Sequence, residues 1–100
     1  MRAIHLCQLD KVRPAVVLTR EVVLPRMRRI TVAPITSTAR GLATEVPVGP
    51  ENGLDQASVI NCDEVWTVPA QDLLRPVGFL LAHQETKLAR AINLAFDLYP

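Results

Sequence analysis

The chain has 100 residues, of which 49% are hydrophobic and 21% charged, with a formal net charge of +1. That is enough for one domain over residues 1–100 with a core of its own. No apolar run approaches the ~20 residues that span a bilayer, and residues 1–5, MRAIH, lead into no apolar stretch of the signal-peptide kind, so a cytoplasmic protein with no membrane partner is expected.

In chain order, residues 3–9 alternate loosely and read as a first strand. Only Asp10, Lys11 and Val12 connect it to Arg13 and a second strand over 14–19. A third strand covers 30–35. Both are rich in Val and Ile, as strands prefer. Between them, residues 24–29, LPRMRR, read as a turn with a basic rim. A short strand over 44–48 carries Pro47, which assigns it to a sheet edge. The GPENG cluster at 49–53 is a turn signal. Strands over 58–62 and 64–68 follow, the latter stopped by Pro69. Residues 72–74 form a helical turn ended by Pro76, and 77–81 are the last strand. From 84 to 96 the period changes, with Leu88, Ala91, Ile92 and Ala95 on one helical face. Glu85 lies in the first turn, where a carboxylate suits the helix dipole. The helix should cap an antiparallel, barrel-like sheet.

Charge is unevenly spread. Residues 1–40 carry eight Lys/Arg and two Asp/Glu, while residues 41–100 carry three and eight, so +6 faces −5. The basic half is a candidate surface for a polyanion, although strand edges also carry Lys and Arg to block edge pairing. Cys7 and Cys62 fall inside strand-like runs without Cys-x-x-Cys or Cys/His spacing, and read as buried free thiols rather than zinc ligands or a disulfide.

The chemistry gathers around one hairpin. If the second and third strands pair antiparallel, Arg13 meets Thr36, Ser37 and Thr38 at the same end. A planar cationic fork beside several hydroxyls suits a phosphate. The plainer alternatives are an ion pair from Arg13 to Asp10, and hydroxyls bonded to the local backbone. No general base stands out. His5 alternates with Ile4 and Leu6 and should face away from them; His83 precedes the helix as a weak cap; Asp10 lies in the loop beside Arg13.

The Arg13-Pro14 pair leads into an apolar strand, and residues 32–37 read VAPITS. Gly53-Leu54 with Ser58-Val59, then Val65-Trp66-Thr67-Val68, then Val77-Gly78-Phe79-Leu80 before a C-terminal helix follow in order. Together these pieces resemble the MazF/PemK (Kid) family of toxin endoribonucleases over nearly the whole chain. The resemblance implies a mainly β fold with a C-terminal helix, an SH3-like antiparallel barrel of the MazF/Kid/CcdB type. It implies a metal- and cofactor-independent enzyme that cleaves single-stranded RNA by 2′-OH attack, leaving a 2′,3′-cyclic phosphate and a 5′-OH. It implies inhibition of translation and growth, a homodimer, and a cognate antitoxin with an acidic tail. Arg13 matches the family's catalytic Arg and Thr36 its Thr partner. Asp10, Lys11, Ser37, Thr38, Arg28 and Trp66 are then RNA-binding candidates.

The sequence departs from the family in two places. The loop at residues 10–12 is short where family members have a longer segment that closes over the site. Glu64 and Trp66 stand where Gln and Arg are frequent. Trp66 could stack on a base, worth roughly 1–3 kcal/mol, or lie in a core or dimer interface. Two other readings stay open. One is a CcdB-like gyrase poison, a class that uses a Trp-bearing C-terminal tip, whereas this chain ends FDLYP. The other is a catalytically weak module that binds RNA or antitoxin.

Overall fold

The Val- and Ile-rich runs form the centre of the computed structural model, which describes residues 1–98. Residues 99–100, the end of the tail contrasted above with a Trp-bearing tip, lie outside the described residues. Strands β1 (Ala3–Gln8), β2 (Val12–Val17) and β3 (Arg29–Thr36) are successive antiparallel neighbours. β4 (Glu45–Val48), β5 (Ser58–Asn61), β6 (Trp66–Pro69) and β7 (Leu73–Phe79) extend them into seven strands in the order β4-β5-β3-β2-β1-β7, with β6 also on β3. β3 is long enough to serve two partners on one side. Residues 29–32 pair with β6, and Ile35 and Thr36 pair with β5.

The expected mainly β chain with a C-terminal helix is present. A closed barrel is not: among the described residues the hydrogen-bonded ladder is open, with β4, β6 and β7 at its margins. The sheet still curls strongly. β6 and β7 are separated by three strands, roughly 19 Å if the sheet were flat at about 4.8 Å per step. The link from Pro69 to Leu73, through the 3-10 turn Ala70–Asp72, reaches at most about 14 Å. The two edges must therefore approach each other, although no ladder joins them.

Both faces of the central strands are covered, so β2 is buried without alternation. Ile4, Val16, Ala33 and Ile35 pack with Ile60 and with helix α1 (Ala82–Ala95) on one face. Cys7, Ala15, Val17, Ile30, Val32 and Val68 form a second cluster on the other, covered by Leu9, Leu24, Ala70 and Leu73. The helix presents the expected face: Leu88 and Ala91 are buried, and Ile92 and Ala95 pack against the first cluster. Pro47 is exposed between buried Val46 and Val48, on an edge strand as expected.

Several boundaries differ from the sequence reading. Residues 24–29 are not a simple turn, because Glu21–Arg26 is a 3-10 helix that brings Leu24 onto the second cluster. Pro69 does not stop its strand but pairs with Arg29 as the last residue of β6. The helical turn at residues 72–74 is displaced to Ala70–Asp72, and β7 then runs straight through Pro76. Pro76 is tolerated because β7 is an edge strand and its register against β1 shifts on both sides of His5, its partner.

The helix starts two residues early, at Ala82, because the Gln84 side chain caps it: the Leu81 N–H donates to Gln84 Oε1 at 2.9 Å. His83 is therefore in the first turn and takes no part in the cap. The same Gln84 Oε1 accepts from Asn52 Nδ2 at 2.6 Å, and Gln84 Nε2 donates to Asn52 Oδ1 at 3.0 Å. Asn52 Nδ2 also donates to the Phe79 carbonyl, and the Gly49 N–H donates to Asn52 Oδ1. This buried, satisfied pair ties the 49–53 turn to β7 and α1. It requires close backbone approach, since a Cβ at Gly78 would overlap the Asn52 carbonyl oxygen.

Candidate active site

The β2–β3 ladder pairs Ala15 with Pro34, Val16 with Ala33 and Val17 with Val32. Carried two residues further, that register brings Arg13 level with Thr36, as the hairpin reading required. Arg13 is half-buried beside an exposed loop too short to cover it. Its guanidinium donates through Nε to Asp10 Oδ1 at 2.9 Å and through Nη2 to Asp10 Oδ2 at 3.0 Å. These two parallel bonds fix the plane and direction of the fork. They hold the Asp10 carboxyl far below the usual carboxylate range and raise Arg13 in turn, with Glu64 adding a smaller attraction. Thr36 Oγ1 accepts from the Thr38 N–H at 3.2 Å, so the Thr36 hydroxyl proton stays available to a ligand while the oxygen orders the turn.

Arg13 and Thr36 line two clefts at once. The first, of about 250 Å³, also takes in Asp10, Pro34 and Thr38 from the hairpin end, and Arg40, Glu45, Asn61, Glu64 and Trp66 from later in the chain. The second, of about 260 Å³, takes in Lys11, Ser37, Gln56 and Ser58. A group held at Arg13 and Thr36 therefore has a hollow on either side.

Trp66 opens β6, pairs with Val32 and is 39% exposed on the first cleft. Thr67 beside it shares a 2.9 Å hydrogen bond with Thr31 and braces the β3–β6 ladder. Glu45 organises the loop that forms the cleft's far side. Burial works against its ionisation, but the N–H groups of Arg40, Leu42 and Gly41 outweigh that and hold its carboxyl below the ordinary value.

Of the residues singled out by sequence, Asp10, Thr36, Thr38 and Trp66 gather with Arg13 in the first cleft, and Lys11 and Ser37 join Arg13 and Thr36 in the second. Arg28 does not join them. It precedes Arg29 at the opposite end of β3 and lines neither cleft. At about 3.3 Å per residue it stands on the order of 25 Å from Thr36. The basic rim of residues 26–29 is thus separate from the Arg13 site. His5 is also elsewhere, with Nδ1 against the Leu74 carbonyl at 3.0 Å.

Arg40, Glu45 and Asn61 carried no signal in the sequence, because nothing in their neighbourhood shows that β4 and β5 deliver them to the end of β3. Cys7 and Cys62 are buried and unpaired, as expected. Among the described residues, no group of three or more His, Cys, Asp or Glu is placed to hold a metal ion, and no helix is long and apolar enough to cross a membrane.

Residues 4–96 match the family described as PemK-like, MazF-like toxin of type II toxin–antitoxin system. Endoribonuclease MazF3 of Mycobacterium tuberculosis is 61% identical over 98 residues, covering 98% of this chain and 95% of that protein. The solved structure of Mycobacterium tuberculosis toxin MazF-mt6 superposes with a TM-score of 0.97 at 60% identity, covering 99% of this chain and 100% of that one. The fold is shared more widely: an endoribonuclease in complex with its cognate antitoxin, from a mycobacterial species, gives a TM-score of 0.86 at 22% identity, covering 98% of this chain and 95% of that one.

Proposed function

The chain belongs to the PemK-like, MazF-like toxins of type II toxin–antitoxin systems, and from that premise we propose that it is a single-domain, metal-independent endoribonuclease that cuts single-stranded RNA in the cytoplasm with Arg13 and Thr36 as its catalytic residues. The observation that carries this reading is a fixed guanidinium and a hydroxyl on the shared rim of two clefts. A phosphate on that rim leaves a hollow for the nucleotide on each side.

The chemistry follows from those groups. The ribose 2′-oxygen bonds to the neighbouring phosphorus, and the bond from phosphorus to the 5′-oxygen breaks. The products are a 2′,3′-cyclic phosphate and a 5′-hydroxyl. Negative charge grows on the non-bridging oxygens in the transition state, where the guanidinium of Arg13 and the hydroxyl of Thr36 meet it. Asp10 orients the guanidinium beforehand and gives way to the phosphate as it binds. When the phosphate takes over the Arg13 donors, the Asp10 carboxylate is released and its basicity returns toward the ordinary range. It is then the carboxylate nearest the rim to accept the 2′-OH proton, while Arg13 and Thr36 lie where the departing 5′-oxygen gains one.

The protein acts as a homodimer in this reading, and an antitoxin with an acidic tail silences it by occupying the Arg13 rim; the antitoxin-bound relative of the same fold supports such a partner. Incubation of purified protein with RNA and, separately, with gyrase tests the proposal. RNA fragments bearing 2′,3′-cyclic phosphate and 5′-OH ends are expected. Intact RNA with trapped gyrase–DNA complexes would move the chain to the gyrase-directed class.

A further inference from the structure

Glu64 is an acid in a cleft that, on the function proposed above, has to admit a polyanion. It is exposed, and among the described residues its carboxylate is engaged only by the field of Arg13. Unlike Glu45, it does no visible structural work. An ionised carboxylate accepts hydrogen bonds and donates none. Whatever faces it must therefore be a donor, which rules out the phosphate oxygens and leaves a ribose hydroxyl or the edge of a base; the exposed indole in the same cleft favours the base. Trp66 lines the same cleft with 39% of its surface exposed, and an indole face is a stacking platform for a base. Arg13 and Thr36 border this cleft, so a phosphate on the rim is one nucleotide from it.

Uracil lacks an exocyclic amine, and its single N–H is flanked by two carbonyl oxygens that a carboxylate repels. Cytosine, by contrast, offers an N4 amine to an acidic side chain. We propose that Glu64 selects, in the Trp66 cleft, a base with an exocyclic amino group on a nucleotide next to the scissile phosphate, with Trp66 stacking on that base.

The test uses short single-stranded oligoribonucleotides, 2′-O-methylated to block cleavage and varied one position at a time. Cytosine, uracil and zebularine, which is cytosine without its amine, are compared. Affinity is read by fluorescence anisotropy for the wild type, Glu64→Gln and Trp66→Ala. At one position the wild type should favour cytosine over both other bases roughly ten-fold. Glu64→Gln, whose amide both accepts and donates, should bring cytosine and uracil to within about two-fold of each other. Trp66→Ala should weaken all three alike by roughly ten-fold.

Wild-type protein with no amine preference at any position, or a cytosine-over-uracil preference that survives Glu64→Gln, overturns the assignment. Tight, base-selective binding by a protein that never cuts the 2′-OH versions would retain this inference and remove the nuclease reading. Cutting without base selectivity at this cleft would do the reverse. Failure to bind any of the RNAs removes both.

Discussion

Arg13 and Asp10 face each other through two parallel hydrogen bonds of 2.9 and 3.0 Å, across a loop too short to do anything but hold them there. The guanidinium is therefore aimed before any substrate arrives. Arg13→Ala should reduce kcat much more than RNA affinity, because the charge it meets develops in the transition state. The expected loss is about 2.7–4 kcal/mol of transition-state stabilisation. Arg13→Lys should rescue little of it, since an ammonium cannot reproduce the fork. Thr36→Ala should cost about 1–3 kcal/mol. Single-turnover cleavage and direct binding measured side by side separate the two effects; an Arg13→Ala protein that binds weakly but cuts at the wild-type rate would make Arg13 a positioning residue only.

The nucleophile is checked on the substrate. Replacing the 2′-OH at the cut site with 2′-H or 2′-O-methyl should abolish cleavage and leave binding largely intact, because phosphate contacts and stacking remain. A chelator in the assay should change nothing. Residual cutting of the 2′-O-methyl RNA would mean that water or a side chain attacks instead.

The buried pair Asn52 and Gln84 predicts a stability effect remote from the clefts. Gln84→Ala removes one of the two acceptors of Asn52 Nδ2 and the cap on the Leu81 N–H. Each buried group left unsatisfied costs about 1–3 kcal/mol. Urea unfolding should show a lower midpoint with an unchanged slope, while the cleavage rate of the folded fraction stays at the wild-type level.

Cys62 gives a pH dependence with a definite sign. Burial, with a smaller push from Asp63, raises its thiol from 9.0 to about 11. The unfolded chain then loses this proton first as pH rises. The stabilisation is complete below pH 9 and disappears between 9 and about 11, on the order of 2–3 kcal/mol in total. Unfolding free energies from pH 8 to 11 should fall more steeply for the wild type than for Cys62→Ala. Parallel curves would show that the thiol does not titrate differently on folding. Native protein at pH 8 should also alkylate slowly at Cys62 compared with unfolded protein.

The assembly is read by light scattering. A homodimer of about 22 kDa, twice the 11.0 kDa chain, is expected at micromolar concentration. An acidic antitoxin tail that competes with RNA at Arg13 should bind more weakly as salt rises. An affinity unchanged from low to high salt would show that apolar contacts, and not charge, hold the tail.

The sequence by itself determined what depends on near neighbours. Antiparallel pairing of two Val- and Ile-rich runs brings Arg13, at the start of the first, to the same end as Thr36, at the close of the second, and a 3.6-residue period from Leu88 to Ala95 selects one helical face. Both follow from backbone geometry repeated over a few residues. Tertiary structure decided what depends on distant partners. The far side of the first cleft comes from Arg40, Glu45, Asn61 and Glu64, which only the pairing of β4, β5 and β6 around β3 carries to the hairpin end. The GPENG turn buries Asn52 only because Gln84, 32 residues away, completes its hydrogen bonds. Pro76 sits within a strand because β7 lies at an edge and its register against β1 shifts on both sides of His5, the partner of Pro76. Arg28, an RNA-binding candidate on the basic rim, stands a strand's length from Thr36, which the length of β3 decides. Periodicity is local and shows in the sequence. Which polar group finds which partner across the chain is set by the sheet order, and no stretch of the sequence states that order.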